Sequence, residues 1–184
     1  NGGRGTVPGG DPKSPAVNAP LSGAKHSLLE GGIRVPLMVR GPSIKAGSVC
    51  RVPVAGYDFL PTFYQLAGGK GKLSNELDGG SFVTLFSDPE TDSVSRSIDG
   101  LVFSRPRQGM AVLRVGPWKL LAEVNTKREI KSAKLFNVVA DIAEEHDLSM
   151  TQADKAKKLQ ARLKTYLETV VDPSPTMKSR KKDD

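Results

Sequence analysis

A small antiparallel sheet backed by one amphipathic helix, with a loop-rich α/β half in front of it, is the arrangement this sequence predicts. The first observation is a change of period at Gly100. Leu101-Val102-Phe103, Met110 to Val115, Trp118 to Val124 and Ala133 to Asn137 are short apolar runs, with turn signals at Gly109 and Gly116-Pro117. The second is a helical stripe, Ala156, Leu159, Leu163, Tyr166, Leu167 and Val170, which ends before Pro173. The third is the uneven use of turn residues. Residues 1–32 alone hold eight glycines and four prolines and show no apolar period.

Each element has its own signals. Residues 1–32 read as an extended, irregular loop of the kind that often carries binding groups. Val35 to Arg40 is a short apolar run closed by Gly41-Pro42 and reads as a buried strand. Val49 to Val54 reads as a second extended piece. A helix then opens at Asp58, a good N-cap residue, with Pro61 tolerated in its first turn. Its apolar face is Phe59, Leu60, Phe63, Leu66 and Ala67, and Gly68-Gly69 stops it. Leu77 to Phe86 contains a short helix over Phe82, Val83, Leu85 and Phe86, and residues 87–99 are polar and loop-like. Asn125 to Lys131 reads as a hairpin loop. Thr151 with Asp154 forms a capping-box-like start to the terminal helix. Lysines and arginines crowd its other positions, so it packs by one face on the sheet.

Composition narrows the function classes. Aromatic residues are 5% of the 184, too few for a platform that stacks single-stranded nucleic acid. No apolar run approaches the roughly 18 residues of a membrane span. A single cysteine, Cys50, and two histidines exclude an internal disulfide framework and make a zinc site unlikely to form. The net charge is +7. Residues 1–100 carry ten Lys/Arg and nine Asp/Glu, whereas residues 101–184 carry seventeen and eleven. That basic half fits nucleic acid, an anionic polymer or, as the preferred reading of charge alone, a solvated surface.

Residues 18–40 carry the most chemistry. Lys25 stands in a loop of small residues that runs through Glu30-Gly31-Gly32 into the apolar run at Val35. That places one compact ammonium at the mouth of a sheet, where it suits a sulfate or phosphate oxygen. On spacing alone an ordinary surface lysine is the preferred reading.

The same residues resemble the sulfatase family. Its Lys-Gly-Ser/Thr-x-x-Glu-Gly-Gly-x-Arg-x-Pro motif stands here as Lys25-His26-Ser27-Leu28-Leu29-Glu30-Gly31-Gly32-Ile33-Arg34-Val35-Pro36, with His26 in place of the usual glycine. Asn1-Gly2-Gly3 is similar to the family's Asp-Asn-Gly-Gly turn, its Asp falling just before the chain begins. Further similarities follow in order: Val52-Pro53-Val54, Asp58-Phe59-Leu60-Pro61-Thr62, Leu77-Asp78-Gly79-Gly80-Ser81, Trp118-Lys119-Leu120, Leu135-Phe136-Asn137, Asp141 to Glu145 and Asp147-Leu148.

The resemblance implies the fold class α/β. Residues 1–99 would form the edge of an alkaline-phosphatase-like catalytic domain. Residues 100–172 would form a small antiparallel sheet with a packed helix, and 173–184 a disordered tail. It implies hydrolysis of a sulfate ester by S–O cleavage, dependent on Ca2+ and on a formylglycine made from the Cys or Ser of a Cys/Ser-x-Pro/Ala-x-Arg motif; this chain contains no Cys-x-Pro-x-Arg. Lys25 matches the family's catalytic, sulfate-binding lysine, and Asn1 its calcium-ligating asparagine. His26, Arg105 and Arg107 are candidate substrate contacts. Glu30, Gly31, Gly32 and Arg34 read as structural: the glycines for φ > 0 turns, Glu30 with Arg34 to tie the loop to the sheet. The implied partners are a sulfated small molecule or sulfated glycan and the amino-terminal part of the same protein, with no nucleic acid. The implied compartment is periplasmic, extracellular or lysosomal. The other readings are a non-catalytic basic module for anionic polymers and a phosphoesterase of the same superfamily.

Overall fold

The computed structural model describes residues 3, 18–74, 77–91 and 93–170. The expected tail at 173–184 and the candidate ligand Asn1 lie outside them. Four strands form one sheet: β1 (Leu101–Arg105), β2 (Met110–Val115), β3 (Trp118–Val124) and β4 (Ile130–Asn137). They lie side by side in chain order, each antiparallel to the next. The tight turns at Gly109 and Gly116 have φ of +61° and +54°, which glycine adopts without steric cost. β4 begins at Ile130, three residues before the apolar run. A register shift at Glu123/Val124 lets the ladder continue through what the sequence presents as loop.

The terminal helix, Ala153–Thr169, crosses one face of this sheet. Ala156, Leu159, Leu163 and Leu167 are buried against Val102, Ala111, Leu113, Leu120, Ala122 and Leu135. Lys155 caps the edge of the contact, its Nζ 3.9 Å from the centre of the Trp118 ring. The start differs from the expected capping box. Gln152 is the N-cap residue and makes no side-chain cap, and the Thr151 hydroxyl donates to the Leu148 carbonyl instead. Packing of the apolar face on the sheet, not a side-chain cap, stabilises the helix. Leu163 is fully buried at the centre of the stripe. Leu163→Ala is expected to cost about 2–5 kcal/mol through lost burial and a cavity. Lys158→Ala, on the solvated face, is expected to cost under about 0.5 kcal/mol. Equal, small effects at both sites in a urea titration would contradict the docking.

Among its described residues the loop-rich half holds three short α-helices: α1 (Glu30–Ile33), α2 (Phe59–Leu66) and α3 (Thr84–Ser87). The terminal helix is α4. Tyr166 of α4 donates its hydroxyl to Asp78 at 2.9 Å, and Arg162 reaches the Asp99 carbonyl at 3.0 Å, so α4 also ties this half to the sheet. Two sequence expectations fail here. Val35 to Arg40 is extended but pairs with no strand among the described residues, and Val35, Leu37, Met38 and Val39 are exposed, Met38 to 92%. A strand is fixed by ladder partners, and the described chain supplies none for this run. The α2 face is not buried as a stripe either. Leu60, Phe63 and Leu66 are exposed, while Pro61 and Thr62 are the buried positions. Only Phe59 turns inward, edge-on to Phe82 at 5.6 Å.

Candidate functional site: a lysine loop on a buried ion cluster

The Lys25 loop is closed by backbone hydrogen bonds. The Gly31 N–H donates to the Ser22 carbonyl at 2.7 Å, and the Ser27 N–H to Ala24 at 2.9 Å. Asn18 binds both backbone groups of Gly3 with its side-chain amide and also donates to the Gly23 carbonyl. The Lys25 N–H itself donates to the Gly3 carbonyl at 2.9 Å. Asn1 is two residues along the chain from this contact. Lys25 is exposed, and its ammonium makes no ion pair with a described residue.

The backbone explains the small residues of the loop. His26 has φ +79°, a left-handed conformation that glycine adopts freely and other residues adopt at a cost of roughly 1–2 kcal/mol. The side chain is exposed. His26→Gly is therefore expected to raise stability by up to about 1 kcal/mol in a urea titration, the relief being partly offset by the freer unfolded chain. A clear loss would mean that the imidazole makes a stabilising contact. Gly31 and Gly32 correct the sequence reading, since neither has positive φ. A Cβ on Gly31 would lie 2.4 Å from the Gly23 carbonyl oxygen, and one on Gly32 2.3 Å from that of Ser27. Close passage of backbone requires these glycines, not turn geometry.

Beneath the loop lies a cluster of buried charges. Glu30 is fully buried, as is Lys119 of β3. The Lys119 Nζ sits 3.0 Å from Glu30 Oε1 and 2.7 Å from Glu144 Oε1. Arg114 of β2 reaches the other Glu30 oxygen at 3.1 Å, and the Glu30 N–H donates to Glu144 Oε2 at 2.6 Å. Burial lowers the Arg114 pKa, and Glu30 opposes that shift. Arg34 adds only a longer, half-exposed contact of 3.6 Å to Glu30. The expected tie from Glu30 to the sheet exists, but Lys119, Arg114 and Glu144 make it. Two carboxylates and two internal cations balance, which is what allows them to be buried together.

A second buried pair organises the loops around α2. Arg96 grips Asp58 with two nitrogens, each at 2.8 Å. Asp58 also accepts the N–H groups of Ala55 and Gly80. Asp58 stands at the N-cap position of α2, as the sequence suggests, but its carboxylate makes no cap bond to the helix. Arg96 and Lys119 were not singled out by sequence. Lys119 had one available sign, a charge inside an apolar strand, between Trp118 and Leu120, which both pack toward the core.

The other candidates lie elsewhere. Arg105 ends β1, half-buried, and Arg107 lies exposed in the turn Pro106–Gln108. Among the described residues no hydrogen bond or ion pair joins either to Lys25 or His26. Cys50 is exposed. His146 is exposed beside Asp141 and Glu145, and the Asp141 carboxylate accepts the backbone N–H groups of both neighbours.

An apolar groove of about 590 Å³ runs between the extended segments and the edge of the sheet. Ile33, Val35, Val49, Leu85, Phe103 and Val139 are among the residues that line it. None of the described helices is long and apolar enough to cross a membrane.

No family model matches the chain. Individual relatives do. The crystal structure of Ps i-CgsB in complex with k-i-k-neocarrahexaose superimposes with a TM-score of 0.69 and 31% identity, over 85% of this chain and 34% of that one. The chain thus has the fold of the corresponding part of alkaline-phosphatase-like sulfatase structures. Arylsulfatase J of Mus musculus is 30% identical over 205 residues, covering 89% of this chain and 34% of that protein. N-acetylglucosamine-6-sulfatase of Capra hircus is 41% identical over 61 residues, 33% of this chain and 11% of the relative. Along most of its length the chain is homologous to sulfatases, and it spans about a third of the length of these relatives.

Proposed function

We propose that this chain supplies the lysine-loop part of an enzyme that hydrolyses sulfate esters, with Lys25 contacting the sulfate. The observation that carries the reading is the presentation of Lys25. An exposed ammonium without an ion partner among the described residues stands on a loop anchored by buried charge. A preorganised cation of this kind stabilises charge on a sulfuryl group at small reorganisation cost. The loop's contact with Gly3 supports a shared site with Asn1. The Asn1 amide oxygen suits calcium, which would polarise the sulfate. The carboxylate on the loop does not suit that ion, because Glu30 is already bound by Lys119 and Arg114. The remaining calcium ligands and the formylglycine would come from sequence other than this chain. His26, next to Lys25, is the candidate for contact with the rest of the substrate, a sulfated small molecule or glycan. Arg105 and Arg107 would read an anionic sugar from the β1–β2 turn.

The exposed apolar residues of 35–39 and of α2 fit a surface that the amino-terminal part of the same protein covers. In the sulfatase that carries this chain, Lys25→Ala is expected to lower kcat/KM on the order of 100-fold with the fold intact. An effect under about threefold would return Lys25 to an ordinary surface lysine. The chain alone is expected to show no turnover of an aryl sulfate in the presence of calcium, since it contains no Cys-x-Pro-x-Arg. Assaying phosphate esters beside sulfate esters separates the sulfatase from a phosphoesterase.

A further inference from the structure

We propose that Glu144 and Lys119 are positioning residues for Lys25: from the small sheet and the turn after it, they fix the loop that presents the ammonium. The inference rests on the sulfatase reading. Lys25 has no side-chain partner among the described residues to orient it, so its place depends on the loop as a unit. That unit is sealed at its neck, where Gly31 donates to Ser22. Whatever holds residues 22 and 30 therefore aims Lys25.

Besides the Arg114–Glu30 pair, three ties from distant sequence hold them. The Ser22 hydroxyl donates to the Ala143 carbonyl, across 121 positions. The Glu30 N–H donates to the Glu144 carboxylate, across 114. The Lys119 ammonium bridges the Glu30 and Glu144 carboxylates. Residues 143 and 144 thus form one platform that meets both sides of the neck. The backbone of Glu144 is an independent sign. It has φ +56°, a strained conformation for a residue with a side chain. Glycine would sit there without strain, yet the position holds a buried carboxylate that Lys119 requires. Such a tether matters because misplacement of a catalytic group by about 1 Å can cost on the order of 100-fold in rate.

The test uses two variants. Glu144→Gln keeps an acceptor for the Glu30 N–H but withdraws the charge paired with Lys119. Glu144→Ala removes both. Amide hydrogen exchange on the chain is expected to quicken at least about tenfold at Lys25, Ser27, Glu30 and Gly31, with Leu113 of β2 and Leu163 of α4 unchanged. In the sulfatase that carries the chain, Glu144→Gln is expected to lower kcat/KM for an aryl sulfate about tenfold, mainly through kcat. That loss should vanish in a Lys25→Ala background, because the tether then has nothing to aim. Faster exchange throughout the chain, or a loss that persists undiminished without Lys25, would overturn the proposal and leave Glu144 as a general stabiliser. Wild-type protein inert toward every sulfate ester would instead remove the sulfatase reading. The exchange pattern would then report a tethered loop with no catalytic task, and the positioning role would fall with that reading.

Discussion

Lys119→Met is expected to destabilise the chain by about 3–5 kcal/mol, enough to consume much of an ordinary domain's stability. The substitution nearly conserves volume, so packing loss is a minor part of the cost. The main part is electrostatic. Glu30 and Glu144 both point at the Lys119 Nζ, at 3.0 Å and 2.7 Å. Without it, two carboxylates face one another in a buried site, and Arg114 reaches only Glu30. Urea titrations of both forms check this. A loss under about 1 kcal/mol would show that solvent reaches the cluster and screens it.

Arg96→Met is expected to cost about 3 kcal/mol. It leaves the Asp58 carboxylate buried but not bare, since the N–H groups of Ala55 and Gly80 still donate to it at 2.7 Å and 2.9 Å. That residual solvation places the cost at the low end for a broken buried pair. The loss should spread to the loops the pair joins. Arg96 also donates to the Pro53 carbonyl, and Thr62 links the Asp58 carbonyl to the Phe82 N–H. Chemical denaturation measures the total. Hydrogen exchange at Ala55, Gly80 and Phe82 locates it. Unchanged exchange at those amides would mean that the clamp does not organise this region.

Local pattern made much of the second half legible. β2 and β3 coincide with the apolar runs Met110 to Val115 and Trp118 to Val124, because short apolar runs and the tight turns that bound them act within a few residues. The inward face of α4 was also visible, since Ala156, Leu159, Leu163 and Leu167 share one side by spacing alone. Lys25 was identifiable as a candidate because its motif lies within one continuous stretch of chain, from Lys25 to Pro36.

What only the tertiary structure decided is the role of residues whose partners are far away in sequence. Asp58 read as a cap, because N-cap preference is local, but Arg96, 38 positions on, takes its carboxylate. Gly31 and Gly32 read as turn residues, but the clash that requires them comes from Ser22, Gly23 and Ser27 in the folded loop. Val35 to Arg40 read as buried by hydrophobicity, yet burial needs a partner surface, and no described residue provides one. Glu30, Arg114, Lys119 and Glu144 are four charges spread over 115 positions. No helical or strand period connects them, and only the fold brings them into one desolvated site where each determines whether the others can remain charged.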